Sequence, residues 1–255
     1  MNAGKNFAGD ATWDYLNNQV NIDLSDSGRS EIDFLKNFLG PINDGAECLE
    51  IGSFPGSMLP TLGSLGYTLN GIDISPRNEN ELPEKLKAKG FKIGKFWSND
   101  IFKFKPKEQF DLVCSFGFVE HFENYLDVIK LHAEMTKPGG YLIITAPNFR
   151  GFFQYIIHYL FDRKNLKIHN IKSMRPKQWA RFLDDNNFEI MFEGYFGGFY
   201  IWLGNKGGNK FNKFLLYIVY GTVSKLSKIL KKDSSLYSYN CGVVARKKNE
   251  NSSLP

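Results

Sequence analysis

The sequence predicts an α/β fold: a doubly wound, mostly parallel sheet with an aromatic-rich cap. Three observations predict it. Short apolar runs alternate with helical patterns between residues 46 and 148, as in a parallel sheet covered on both faces. The connections between them are short and rich in Gly, Pro, Ser and Asp, the residues of tight turns. After residue 148 the alternation stops and fifteen Phe, Tyr and Trp fall within residues 149–202.

The elements follow in order. Residues 1–26 read as an irregular or short helical lead-in with scattered aromatics (Phe7, Trp13, Tyr15). From Ser27, Ile32, Leu35, Phe38 and Leu39 recur at helical spacing, and Gly40-Pro41 ends that helix. Strands are expected at 46–51, 67–72, 91–97, 110–114 and 141–145. Between them come a short helix after Gly56 and Ser57, a charged helix over 79–89, and a helix over 123–135 with Leu126, Ile129 and Ala133 on one face. Lys137-Pro138-Gly139-Gly140 reads as a turn and Pro147 closes the fifth strand. Residues 149–178 show little period. A helix over 176–185 turns Trp179, Phe182 and Leu183 inward, and a strand over 188–195 follows. After the glycine-rich residues 197–210 come an apolar helix bearing lysines over 211–230 and a last strand over 238–246.

Composition narrows the function. At 255 residues, with 42% apolar and 23% charged residues, the chain is ordinary globular protein, not disordered, collagen-like or coiled-coil. The net charge of +5 is uneven. Residues 201–255 hold ten Lys/Arg against two Asp/Glu, giving +8, and residues 1–200 stand at −3. A mildly acidic body argues against a nucleic-acid partner. Residues 1–16 lack a cationic region followed by an apolar run, so no export signal is expected. The longest apolar run of the tail, 214–220, is far short of the roughly 18 residues of a membrane span. Cys48, Cys114 and Cys241 are odd in number, far apart and each within an apolar strand. They read as buried thiols, not bridges or metal ligands, which suits a reducing cytoplasm.

Ligands of open parallel sheets bind outside the carboxyl ends of the strands. After the first strand the chain reads Glu50-Ile51-Gly52-Ser53-Phe54-Pro55-Gly56, and after the second Asp73-Ile74. After the third it reads Asn99-Asp100-Ile101, and after the fourth Ser115-Phe116-Gly117-Phe118-Val119-Glu120-His121. Gly52 and Gly56 permit tight turning and close approach of a ligand to the backbone. Asp73, twenty-one positions after Gly52, is placed to accept both hydroxyls of a ribose. Asp100 is placed to accept from an adenine amine, and Asn99 is an equal candidate. The loop is not G-x-G-x-x-G and lacks a Lys-Ser/Thr pair, which disfavours a dinucleotide or triphosphate. A nucleoside with a small charged substituent fits better.

These motifs, in this order, resemble those of the class I S-adenosylmethionine-dependent methyltransferases of the small-molecule and glycan type. Glu50–Gly56 resembles their first motif, acidic-x-Gly-x-Gly-x-Gly, with Phe54 in place of the middle glycine. Asp73 matches the acidic residue ending their second strand, and Asn99-Asp100-Ile101 their adenine-binding segment. Phe110-Asp111-Leu112-Val113 with Glu120-His121-Phe122, and Lys137-Pro138-Gly139-Gly140 with Ala146-Pro147-Asn148, resemble their fourth-motif and fifth-strand regions. The resemblance covers about residues 46–148 and, more weakly, 176–196. It implies a Rossmann-like sheet of seven strands with the last antiparallel. It implies S-adenosylmethionine held by Glu50, Gly52, Ser53, Phe54, Gly56, Asp73, Ile74, Asn99, Asp100, Ile101, Ser115 and Phe116. The domain reading is a lead-in over 1–45, a cofactor-binding core over 46–148, a substrate lid over 149–178, and a C-terminal part of the sheet over 179–255 with a basic helical insertion at about 205–235.

His121 is the candidate catalytic group, holding the acceptor or taking its proton. The alternative is a histidine that packs at the sheet top. Phe118, His158 and His169 are the candidate acceptor contacts, and His132 reads as structural. Phe149, Phe152, Phe153, Tyr155, Tyr159 and Phe161 are expected either to line an apolar or planar acceptor pocket or to be core. The implied reaction is methyl transfer to a small-molecule or glycan-like acceptor, through a hydroxyl, with no metal. The alternatives are a membrane-surface enzyme acting on a lipid-like acceptor and a non-catalytic nucleoside-binding protein. The helix over 211–232 either packs on the domain or on the second subunit of a homodimer, or lies in an anionic membrane interface. The expected location is cytoplasmic, with that helix as the route to the membrane periphery.

Overall fold

The computed structural model describes residues 21–22, 24, 29–39, 42–203 and 210–249, with side chains omitted at 29–33 and 210–213. The expectations for residues 1–20 and 204–209, and for the side chains of Ile32, Phe211 and Lys213, lie outside the described residues.

The helices are α1 (Arg29–Phe38), α2 (Leu59–Ser64), α3 (Arg77–Asn80), α4 (Leu82–Ala88), α5 (Tyr125–Met135), α6 (Phe152–Phe161), α7 (Arg163–Lys167), α8 (Pro176–Asp184) and α9 (Lys210–Ile229). The strands are β1 (Glu47–Ile51), β2 (Thr68–Asp73), β3 (Ile93–Ser98), β4 (Phe110–Phe116), β5 (Thr136–Pro147), β6 (Phe188–Phe196) and β7 (Asn240–Lys247). They form one seven-stranded sheet in the order β3-β2-β1-β4-β5-β7-β6. β1 through β5 pair in parallel, and β7 runs antiparallel to both of its neighbours. The expected fold class is therefore the observed one. Apolar β1 and β4 sit in the middle because a central parallel strand is covered on both faces. Leu49, Ile51, Val113 and Cys114 are fully buried there, and all three cysteines are buried and free.

Four expectations change. The charged helix over 79–89 is two helices, because Pro83, in the first turn of α4, supplies no N–H to continue α3. Of the expected face of α5, Ile129 and Ala133 are buried but Leu126 is exposed, and Val128, Leu131, His132 and Met135 join the buried side. Lys137–Gly140 is not a turn; it lies within β5, where a register shift against β4 absorbs the extra residues. Residues 149–175, which lack a visible period, carry α6 and α7. In α6 polar Gln154 and His158 are buried while Phe152, Phe153, Tyr155 and Leu160 are exposed, so the usual apolar-inside pattern does not mark it.

Candidate functional site

The chain leaves β1 for β2 and β3 on one side and returns to β4 on the other. That reversal opens a crevice at the carboxyl ends of β1 and β4, where the sequence-marked residues gather. The loop after β1 turns on Gly52 and Gly56, whose φ angles of +76° and +92° suit glycine. A Cβ at Gly52 would lie 2.4 Å from Cδ2 of Phe118, so the loops after β1 and β4 touch at this point.

Two carboxylates dominate the crevice. Glu50, at the end of β1, is buried and its Oε2 has no hydrogen-bond partner. Burial, and then the nearby charge of Asp73, hold its pKa well above the usual carboxylate range. Asp73 ends β2 and accepts from the backbone N–H of Ser75 at 2.8 Å and of Phe54 at 3.4 Å. Burial pushes its pKa up to about 6 despite those bonds. Next to it Ile74 exposes an apolar side chain. Asn99 is exposed and its N–H donates to the carbonyl of Asp73 at 2.9 Å. Asp100 receives the N–H of Phe102 at 3.0 Å and so caps its own turn. Ile101 is core.

Three of the expected contacts point their side chains elsewhere. Ser53 is buried and donates to Oδ1 of Asn78 at 2.8 Å, while Asn78 donates to the carbonyl of Trp97 at 3.0 Å. Ser115 is buried and hydrogen-bonds Nε2 of His132 at 3.0 Å. Phe54 is buried with the Arg77 guanidinium 5.1 Å above its ring, so the residue replacing the middle glycine is held within the protein. The hydroxyls of Ser53 and Ser115 are thus turned away from the crevice. Phe116 is half-buried against the core.

A second cluster lies beyond β4. A one-turn helix, Val119–His121, brings Glu120 and His121 inward. The N–H of Asn170 donates to the carbonyl of Glu120 at 2.6 Å, and its side chain to that of Phe122 at 2.9 Å. This stitching sets His169 against His121, ring centroids 4.5 Å apart. Phe149 touches both His158 and His169, at 4.2 and 5.1 Å. Burial, together with His169, lowers the His121 pKa to about 3, and Nδ1 of His121 donates to the carbonyl of Ile168 at 3.0 Å. Burial lowers His158 to about 4, and Asp162 lies 3.7 Å from its Nδ1. His169 is half-buried; burial lowers its pKa, and its Nδ1 donates to Asn165 at 2.6 Å, leaving Nε2 as the acceptor nitrogen. Burial raises Glu120 to about 8, so its carboxyl is protonated at neutral pH. Ligand atoms of Glu120, His121 and His169 lie within 4.8 Å of one another, close enough for all three to hold one metal ion.

The aromatics expected at the acceptor divide. Phe149 is buried, but Phe152, Phe153, Tyr155 and Tyr159 point outward, because the inner face of α6 is taken by Gln154, Ile157 and His158. Asn78, Asn170 and a groove of about 690 Å³ beside α8 and β6, lined by Arg150, Arg175, Arg181, Glu193 and Tyr195, carry no motif in the sequence. The basic cluster around Arg175 was the only visible hint of the groove. Among the described residues no helix is long and apolar enough to cross a membrane.

A family model described as a methyltransferase domain matches residues 26–193, about two thirds of the chain. The mitochondrial ubiquinone biosynthesis O-methyltransferase of Dictyostelium discoideum is 24% identical over 164 residues, 58% of this chain and 51% of that protein. The ubiquinone biosynthesis O-methyltransferase of Rickettsia canadensis (strain McKiel) is 27% identical over 150 residues, 56% of this chain and 63% of that protein. The chain thus spans less than two thirds of these relatives. A SAM-dependent methyltransferase from Thermotoga maritima shares the fold at a TM-score of 0.55 and 17% identity, over 86% of this chain and 88% of that one. One from Archaeoglobus fulgidus does so at 0.54 and 20%, over 85% and 93%.

Proposed function

This chain belongs to the methyltransferase domain family, and from that premise we propose that it transfers a methyl group from S-adenosylmethionine to a hydroxyl oxygen of a small acceptor. The observation that carries the cofactor is the pair of raised carboxylates, Glu50 with its unpartnered buried oxygen and Asp73 beside exposed Ile74. Such acceptors call for donors, and the hydroxyls of a ribose and an ammonium supply them. Asp73 takes the ribose hydroxyls, Glu50 the cationic end, and Ile74 a face of the adenine. Asn99 and Asp100 meet the base edge, and the loop that turns on Gly52 and Gly56 completes the cradle. When bound, S-adenosylmethionine supplies a methyl carbon on a sulfonium leaving group.

Alignment of the acceptor is therefore the main task of the protein. The loop after β4, with Phe118, and the lid over 149–178 hold the acceptor above the crevice. A hydroxyl must lose a proton as it is methylated. His169, half-buried with Nε2 as the open acceptor nitrogen, receives it. His121, packed against it, is a positioning residue, since burial opposes its taking up a proton and its Nδ1 is held by the carbonyl of Ile168. The ubiquinone O-methyltransferase relatives support an oxygen acceptor.

The test has two arms. A thermal-shift titration with S-adenosylhomocysteine and with NAD checks the cofactor, and stabilisation by NAD alone would end the reading. Transfer of labelled methyl to phenols and catechols, against primary amines, checks the acceptor atom. His169→Gln is expected to lower kcat about 100-fold or more with phenols while S-adenosylhomocysteine binding is unchanged. Methylation of amines alone would replace the hydroxyl assignment.

A further inference from the structure

Nearly all the large apolar side chains exposed among the described residues share one region. Apart from Ile74, Leu126 and Met191, they lie on α6, on α9, at Tyr200 and Trp202, and at Leu236. These segments form one surface. Gln154 of α6 donates to the carbonyls of Tyr200 and Tyr237 at 2.7 and 3.0 Å, and the N–H of Phe153 donates to the carbonyl of Leu236 at 3.2 Å. Beneath the surface, Ile157 of α6 packs with Ile201, Leu203 and with Leu216 and Val223 of α9 in a core of their own. Above it, Leu160 is 60% exposed on α6, and Phe214 and Tyr217 are 60% and 78% exposed on α9. Scattered apolar exposure is ordinary, but a contiguous patch marks a binding face.

Charge selects the occupant. The ten residues of α6 contain no Lys, Arg, Asp or Glu, and after buried Asp162 come the cations Arg163, Lys164 and Lys167. Between Glu193 and Asp233 the chain holds seven lysines and no acidic residue. Along α9 exposed Phe214, Tyr217 and Ile218 give way to exposed Lys225 and Lys228. Lys231 and Lys232 follow, both exposed. Aromatic and aliphatic side chains rimmed by lysines suit the boundary of an anionic bilayer, where rings sit among headgroups and lysines reach phosphates. A second copy of the chain, docked through the same face, would bring two lysine-bearing surfaces of like charge together.

We propose that the joint outer face of α6 and α9 docks on an anionic phospholipid surface. The docking stands apart from the methyl-transfer reading, because it needs neither cofactor nor crevice. Flotation of the full chain with phosphatidylcholine vesicles, with and without phosphatidylglycerol, tests it in the absence of cofactor. Binding is expected to the anionic vesicles and to weaken with salt. Lys225→Gln with Lys228→Gln is expected to lower partitioning about thirtyfold, about fivefold per lysine. Tyr217→Ser with Ile218→Ser is expected to lower it as well. All four positions are exposed, so circular dichroism melting is expected to match the parent chain and to separate lost docking from lost fold. The proposal is overturned if the parent chain stays off anionic vesicles, or if it binds neutral ones equally. It is also overturned if sedimentation shows a stable dimer that Tyr217→Ser dissociates.

Discussion

Asp73→Asn separates the stability of the crevice from its use. Asp73 titrates at about 6 rather than 3.8, because burial penalises its charge more than two backbone N–H bonds support it. The difference of about two units corresponds to about 3 kcal/mol of unfavourable ionisation at neutral pH. Because the carboxylate is only half-buried, about 1–2 kcal/mol is the expected part. Asparagine keeps an acceptor for Ser75 and loses the charge, so the ligand-free variant is expected to melt about 3–6 °C higher at pH 7. The sign follows from proton linkage. Between pH 3.8 and about 6 the folded state holds a proton that the unfolded state has released, so stability falls as pH rises through that window. The variant lacks this slope. Binding moves the other way. Losing a charged acceptor for two hydroxyls is expected to weaken S-adenosylhomocysteine about 30–150-fold, measured by calorimetric titration. In the parent chain affinity is expected to drop about tenfold per pH unit below 6. A variant that melts lower and binds as before would refute the reasoning.

Three further outcomes follow from the same geometry. Glu120→Gln removes a carboxyl that burial holds at about 8, above the ordinary glutamate value of 4.5. Its stability relative to the parent is therefore expected to rise by about 1.4 kcal/mol per pH unit from pH 5 to 8 and then level off, as read by denaturant melts across pH. Ser115→Ala leaves Nε2 of buried His132 without its 3.0 Å partner and is expected to cost about 1–3 kcal/mol; an unchanged melting curve would show that the bond is not formed in solution. Gly71→Ala would put a Cβ 2.4 Å from Ser53 Oγ and 2.7 Å from Phe96 Cε1, so a loss of about 1–3 kcal/mol is expected, together with weaker S-adenosylhomocysteine binding because Ser53 carries the crevice loop.

Much of the molecule was legible because its signals are local. A buried parallel strand is a short apolar run with turn residues at its end, so β1, β2, β4 and the carboxylates Glu50 and Asp73 that close two of them stand out. The helix of Trp179 and Leu183 shows the same clarity through its 3.6-residue period. Where a side chain has two places to go, local signals fail. Ser53 and Ser115 follow strands as cofactor-facing residues do, yet Asn78 and His132 draw their hydroxyls inward. Pro83 divides a helix that its charge pattern runs together.

The order of motifs along the chain by itself determined the strands of the α/β core and the carboxylates at their ends, because each depends on residues within a few positions of one another. Only the tertiary structure decided the histidine cluster and the outward face of the cap. His121 and His169 meet through Asn170, whose bonds to Glu120 and Phe122 span about fifty residues. The aromatics of α6 turn outward because His158, Gln154 and the α9 contacts of Ile157 fill the other side. Both are outcomes of competition for one interior, which a chain settles only when it packs.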